Sequence, residues 1–305
     1  MRAYSRGFTL IEILVGMAVG MIMLLATAGI FMSTKKAFVF QNAQSEVSQE
    51  GRFGVDLLRR LIGQAGYRAV PATISTNVLP AAAGTPPFTK AVQLDSTGNI
   101  LILRFQSDGN QIDCTGATLA ANANLSTDYT EIWIKYVAAT TSAPITPGYL
   151  QCGSAVSTGA AITAINNYVD LIGTSNSSSN PAPLKVDGFT PTFGVDTSTN
   201  AANSSSVGCS YPGNSGTTNQ GDCLAKSYVG ASAMSLTPDR STTWDWERVV
   251  AVRVCLKLET VNNVIPSNQT YSYVDCSGTL QTGQSGTTLV RTITATSRLH
   301  NLVNS

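Results

Sequence analysis

The chain has 305 residues, with 19 Lys and Arg against 18 Asp and Glu, 12% charged residues and a formal charge of +1. That balance supplies no basic field of the kind that nucleic-acid binding requires, so no nucleic-acid partner is expected. One histidine, His300, and six cysteines without a Cys-x-x-Cys pair argue against an ordinary zinc site.

Residues 7–32, GFTLIEILVGMAVGMIMLLATAGIFM, carry a single charge, Glu12. At about 1.5 Å per residue, Phe8 to Met32 can cross a bilayer as one helix. The preceding MRAYSRG holds Arg2 and Arg6 and no acid, which predicts a cytoplasmic N-terminus and a head on the far side. No small-residue cleavage pattern follows the apolar run, so the run is expected to be retained. Glu12 needs a partner, because a carboxylate at membrane depth costs roughly 2.5–3.5 kcal/mol even on lenient insertion scales.

The string Gly7-Phe8-Thr9-Leu10-Ile11-Glu12 resembles the class III signal of type IV prepilins and pseudopilins. The resemblance implies cleavage by a prepilin peptidase between Gly7 and Phe8, with methylation of the new amino terminus at Phe8. It also implies that Glu12 serves assembly by pairing with the terminal amine of a neighbouring subunit. The charges agree, since a new ammonium at Phe8 supplies the countercharge that Glu12 lacks. Pairing within one helix, at i and i+4, and pairing between subunits both remain open. Loss of MRAYSRG removes two of the 19 basic residues and leaves 17 against 18 acidic ones, a mature charge of −1.

From Ser33 to Ala65 there is no proline, and Phe40, Ala43, Val47, Gly51, Val55, Leu58, Ile62 and Ala65 recur at helical spacing. Phe53, Leu57 and Leu61 widen this stripe, while Lys35, Glu46, Arg52, Arg59 and Arg60 lie on its flanks. Gly63, Gly66 and Pro71 mark the end. The expectation is one helix from Phe8 to about Gly63, about 80 Å long. Residues 8–32 form its membrane or filament-core half and residues 33–66 its amphipathic half. The stretch GRFGVDLLRRLIGQAGYR, with its Ala65-Gly66-Tyr67 turn, resembles the helix end of PilW-type minor pilins and J-type pseudopilins.

Residues 67–305 are expected to form a β-rich head. Strands are predicted at Ile100–Phe105, Thr130–Val137, Trp246–Val261, Tyr271–Cys276 and Thr288–Thr296. In the third, Val250, Val252, Val254, Leu256 and Leu258 share one face, and Trp244 and Trp246 at its start read as packing. Tyr271–Cys276 is expected to return beside it. Asp108, Asn110 and Asp113 lack the twelve-residue calcium loop and its closing glutamate, which favours a plain turn. Residues 173–222 are dominated by Ser, Asn, Thr and Gly and are expected to form a coreless excursion.

Cys114, Cys152, Cys209, Cys223, Cys255 and Cys276 all lie beyond the apolar helix, and an even number on an oxidising side predicts three disulfides. Fifteen connectivities are possible. Chain order and hairpin geometry favour Cys114 with Cys152, Cys209 with Cys223, and Cys255 with Cys276. No nucleophile, phosphate-loop or metalloprotease motif occurs, so no enzyme activity, catalytic residue, cofactor or metal is expected.

The expected fold class is α+β: a long N-terminal helix packed on a β-rich, disulfide-bonded head, as in pilins. The resemblance implies a minor pilin of the PilW type that helps initiate type IV pilus assembly, in a tip complex with other minor pilins, major pilin and an adhesin. It implies an inner-membrane precursor, then the pilus and cell surface. A J-type pseudopilin of type II secretion and a membrane-anchored ligand-binding module are the alternatives.

Overall fold

The computed structural model describes residues 9–69, 90–125, 127–140, 146–174, 184–196, 224–235, 244–246, 249–265 and 269–299. Its first element is α1 (Leu10–Gln64), 55 residues without interruption. Residues 9–39 are exposed throughout, and burial begins only where the stripe meets the head. There α1 buries Ala43, Val47, Gly51, Gly54, Val55, Leu58, Leu61 and Ile62. Phe53 is not part of that face and is 63% exposed. Six residues on from Val47, it lies about a third of a turn away from it, beyond the reach of either sheet.

The first sheet is an antiparallel meander of β1 (Val92–Leu94), β2 (Ile100–Phe105), β3 (Asp128–Val137), β4 (Tyr149–Thr158) and β5 (Tyr168–Ile172), in that order. The second draws on β6 (Leu184–Val195), β7 (Ser227–Val229), β10 (Val249–Thr260) and β13 (Val290–Arg298), ordered β13-β10-β6-β7. Between them in sequence, β8 (Met234–Ser235) and β9 (Trp244–Asp245) make a short parallel pair, and β11 (Thr270–Val274) and β12 (Leu280–Ser285) a hairpin.

The helix lies against both sheets and completes one core, in which Leu58, Leu61 and Ile62 meet Leu101, Phe105, Ile132, Phe193, Val252 and Leu256. Two helical glycines set this approach. A Cβ at Gly51 would stand 1.9 Å from Ile293 Cδ1 in β13, and one at Gly54 would stand 2.2 Å from Ile172 Cδ1 in β5. The C-terminal end of α1 is clamped by a reciprocal amide pair: Gln64 Nε2 donates to Ile112 O (3.0 Å), and Ile112 N donates to Gln64 Oε1 (2.6 Å). Gly66, in the left-handed region at φ 80°, then turns the chain so that its N–H reaches Arg104 O at 2.8 Å.

In the head, two strand expectations differ from the structure. Tyr271–Val274 does not pair with β10, whose neighbours are β6 and β13 along nearly its whole length. Instead it pairs with β12, and the hairpin is fastened to β10 by the Cys255–Cys276 disulfide. With Gly283 inside it and Leu280 as its one large apolar residue, LQTGQS shows no alternating apolar pattern, so β12 gives no signal of its own. The second difference is β6, a central strand lying within the stretch expected to be coreless; Val186, Phe193 and Val195 are fully buried in it. Pro191 hides it in the sequence, because proline ordinarily argues against a central strand. Here the missing N–H lies on the side away from β10, where β7 covers only Phe193 to Val195, so no ladder bond is lost.

Candidate assembly site

At the start of α1, Thr9 and Glu12 form a reciprocal cap. Thr9 N and Oγ1 each donate to Glu12 Oε2 at 3.2 Å, and Glu12 N donates to Thr9 Oγ1 at 3.3 Å. The arrangement satisfies two of the amide groups that a helix start leaves orphaned. It also aims the Glu12 carboxylate back along the chain, toward the terminus that cleavage before Phe8 would create. Gly7 and Phe8 lie outside the described residues. In the sequence Glu12 takes its role from the resemblance, with its charge in agreement; Thr9 is not among the residues so assigned, although the Thr-x-x-Glu spacing is itself a capping signature. Gly16 and Gly20 have no atom within 4 Å of an added Cβ, leaving a shallow notch on the exposed half of the helix.

The head is fastened by covalent links at both sheets. Cys114, in the loop after β2, bonds Cys152 in β4, and Cys255 in β10 bonds Cys276 in the hairpin turn. Cys209 and Cys223 lie outside the described residues, as does His300. Asp113 spends its carboxylate on the local turn, accepting from Thr115 N at 2.8 Å and Ala117 N at 3.0 Å. Asp108 accepts from the Tyr67 hydroxyl at 2.5 Å. Among the described residues no group of three or more His, Cys, Asp or Glu side chains could hold a metal ion. Trp246 is buried and meets Phe193 edge-on, with ring centroids 4.7 Å apart, so it packs the core and offers no exposed platform.

The β11–β12 turn supplies a titration test. Asp275 accepts from Ser277 Oγ (2.6 Å), Ser277 N, Thr279 N (both 2.9 Å) and Gln281 Nε2 (2.7 Å). These bonds, the Ser277 hydroxyl's first, hold its carboxyl down to about 2. A depressed carboxylate contributes stability that is complete above its unfolded value of about 3.9 and is lost as pH falls through the folded value. The Asp275 carboxyl carbon should therefore titrate near pH 2 by NMR, and Ser277→Ala should move that midpoint upward. A midpoint at the ordinary aspartate value in the parent protein would contradict the turn geometry.

Taken together, a charged cap opens a long exposed apolar helix, and a disulfide-fastened, sheet-rich head follows it. Residues 2–28 match the family described as the prokaryotic N-terminal methylation motif. Among solved structures the chain is similar to a type IV-like pilin from Thermus thermophilus, at 13% identity and a TM-score of 0.41, over 85% of this chain and 97% of that one. No curated protein sequence matches it.

Proposed function

We propose that the chain is a minor pilin of the PilW type, which helps initiate assembly of the type IV pilus and is built into it. The observation that carries this reading is the join between two parts: a prepilin-type methylation motif over residues 2–28 runs directly into a 55-residue helix. The first half of that helix is bare and its second half is the packed face of a head. A subunit of this form is held in the inner membrane as a precursor, N-terminus inside and head in the periplasm. Prepilin peptidase cuts between Gly7 and Phe8 and methylates Phe8. The Glu12 carboxylate then registers the new amine of a neighbouring subunit as the apolar helices pack. The head, with up to three disulfides, meets other minor pilins, the major pilin and a tip adhesin, and finally reaches the cell surface.

The same physics would serve a J-type pseudopilin of type II secretion, to which the helix end from Gly51 to Arg68 is also similar. Loss of piliation and twitching on deletion, with secretion intact, separates the two machines. The primary test is the intact mass of the protein from membranes of cells with and without prepilin peptidase. A chain lacking MRAYSRG and carrying one added methyl, only when the peptidase is present, is the expected result. An uncut chain in both overturns the reading and leaves a membrane-anchored binding module in its place.

A further inference from the structure

The second sheet ends on β13, whose outer side pairs with no strand among the described residues. Antiparallel geometry fixes what that edge offers. Leu299 N donates to Val250 O and Thr260 N donates to Leu289 O, so odd-numbered residues of β13 turn their backbone groups toward β10. Even-numbered residues turn theirs outward. Val290 meets the Tyr271 hydroxyl through its backbone, and Thr292 Oγ1 bonds Val274 O, so the β11–β12 hairpin closes the start of the edge. Thr294 and Thr296 are exposed, and their outward amides and carbonyls have no partner among the described residues. Natural edges are ordinarily blunted by proline, a bulge or a cover. Residues 290–298 contain no proline, and their register with β10 runs without a shift.

The helix borders this edge and gives it a sign. Gly51 faces Ile293 and the Arg59 carbonyl accepts from Ser297 Oγ at 3.3 Å, so α1 and β13 advance side by side in the same direction. Arg52 and Arg59, two turns apart on the flank turned to β13, are both exposed, as is Arg291 near the start of the strand. Asp56 lies between the two helix arginines, and among the described residues no ion pair joins it to either. Glu46 and Glu50 sit on the other flank, away from β13.

We propose that the β13 edge is a strand-addition site for an extended, acidic segment of another protein. Such a segment pairs its backbone with Thr294 and Thr296 and sets carboxylates against Arg52, Arg59 and Arg291. Backbone bonds supply affinity and the arginines select the charge of the partner. The proposal does not depend on the pilus reading, since it concerns only the head and the helix flank beside it.

The test uses the full-length protein in detergent micelles and a fluorescent nine-residue peptide, Thr-Glu-Val-Glu-Thr-Glu-Val-Glu-Thr, with a control in which Lys replaces each Glu. At low salt the acidic peptide should bind at least about tenfold tighter than the control and slow hydrogen exchange at the Thr294 and Thr296 amides. Thr294→Pro removes one outward N–H at an edge position that tolerates proline. It should weaken binding about tenfold while leaving the unfolding midpoint in place. The double variant Arg52→Glu, Arg59→Glu should reverse the preference between the two peptides. No binding of the acidic peptide overturns the proposal. So does binding without protection at Thr294 and Thr296, undiminished binding to Thr294→Pro, or a preference the double variant leaves unchanged.

Discussion

Gly148→Ala is expected to destabilise the head by about 3 kcal/mol, lowering its thermal midpoint by roughly 6–12 °C. Gly148 stands immediately before β4 in the first sheet, and its carbonyl accepts from Val186 N in β6 of the second at 2.8 Å. A Cβ there would lie 2.2 Å from Val186 O, 3.2 Å from Ala139 N and 3.3 Å from Val137 O. All three obstacles are backbone atoms, and none can rotate aside. Relief requires β4 and β6 to separate, which breaks the bond between the sheets and loosens packing around fully buried Val186 and Leu150. The helical glycines differ in kind, because Gly51 and Gly54 meet only the ends of isoleucine and leucine side chains, which can change rotamer. Gly63, with nothing within 4 Å of an added Cβ, is the control. Gly63→Ala should match or slightly exceed the parent, since alanine gains up to about 1 kcal/mol over glycine in a helix. Calorimetric unfolding of the two variants beside the parent decides the matter, and an unshifted Gly148→Ala would refute the close approach.

The sequence makes α1 legible because two independent signals agree over its length: apolar composition in the first half and a 3.6-residue stripe in the second. Its ends agree to within two residues with the structure, Leu10 and Gln64 against Phe8 and Gly63. The stripe also admitted Phe53, since periodicity cannot say how wide a face the partner covers. In the head, β10 is legible for the same reason as the helix, a long regular pattern of Val250, Val252, Val254, Leu256 and Leu258. Its neighbours are not, because strand pairing is a non-local choice. Tyr271 is nearer to β10 in sequence than the bulk of β13 or any of β6, yet it goes to β12. What decides is that both edges of β10 are already taken, by a proline-bearing strand on one side and a threonine-rich one on the other. At the candidate site, the lone charge of Glu12 is legible within an apolar run, whereas Thr9 is uncharged and is marked only by its three-residue spacing from Glu12.

Arg104→Ala should be the most damaging single side-chain truncation in the first sheet, at about 3–5 kcal/mol, because it strands a buried carboxylate. Arg104 in β2 and Glu131 in β3 are directly opposed, with Nε 2.6 Å from Oε1 and side chains only 16% and 3% exposed. Trp133 Nε1 donates to the other carboxylate oxygen at 2.5 Å, and Arg104 Nη1 reaches Gln93 Oε1 at 3.1 Å. Without the guanidinium, Glu131 keeps one donor in a site nearly closed to water, and Gln93 Oε1 loses its own. The companion variant separates this from simple loss of the arginine stem. Arg104→Met with Glu131→Gln preserves volume, removes both charges and leaves an amide oxygen for Trp133 Nε1. Replacing both members of a buried pair is commonly near neutral, so the double variant should recover more than half of the stability lost by Arg104→Ala. The comparison is a set of chemical unfolding curves on Arg104→Ala, Arg104→Met, Glu131→Gln and the double variant. Strong non-additivity places the energy in the charge pair. If the losses from Arg104→Met and Glu131→Gln simply add, the arginine acts through its packed methylenes, and the outer face of the first sheet is held together by contact area alone.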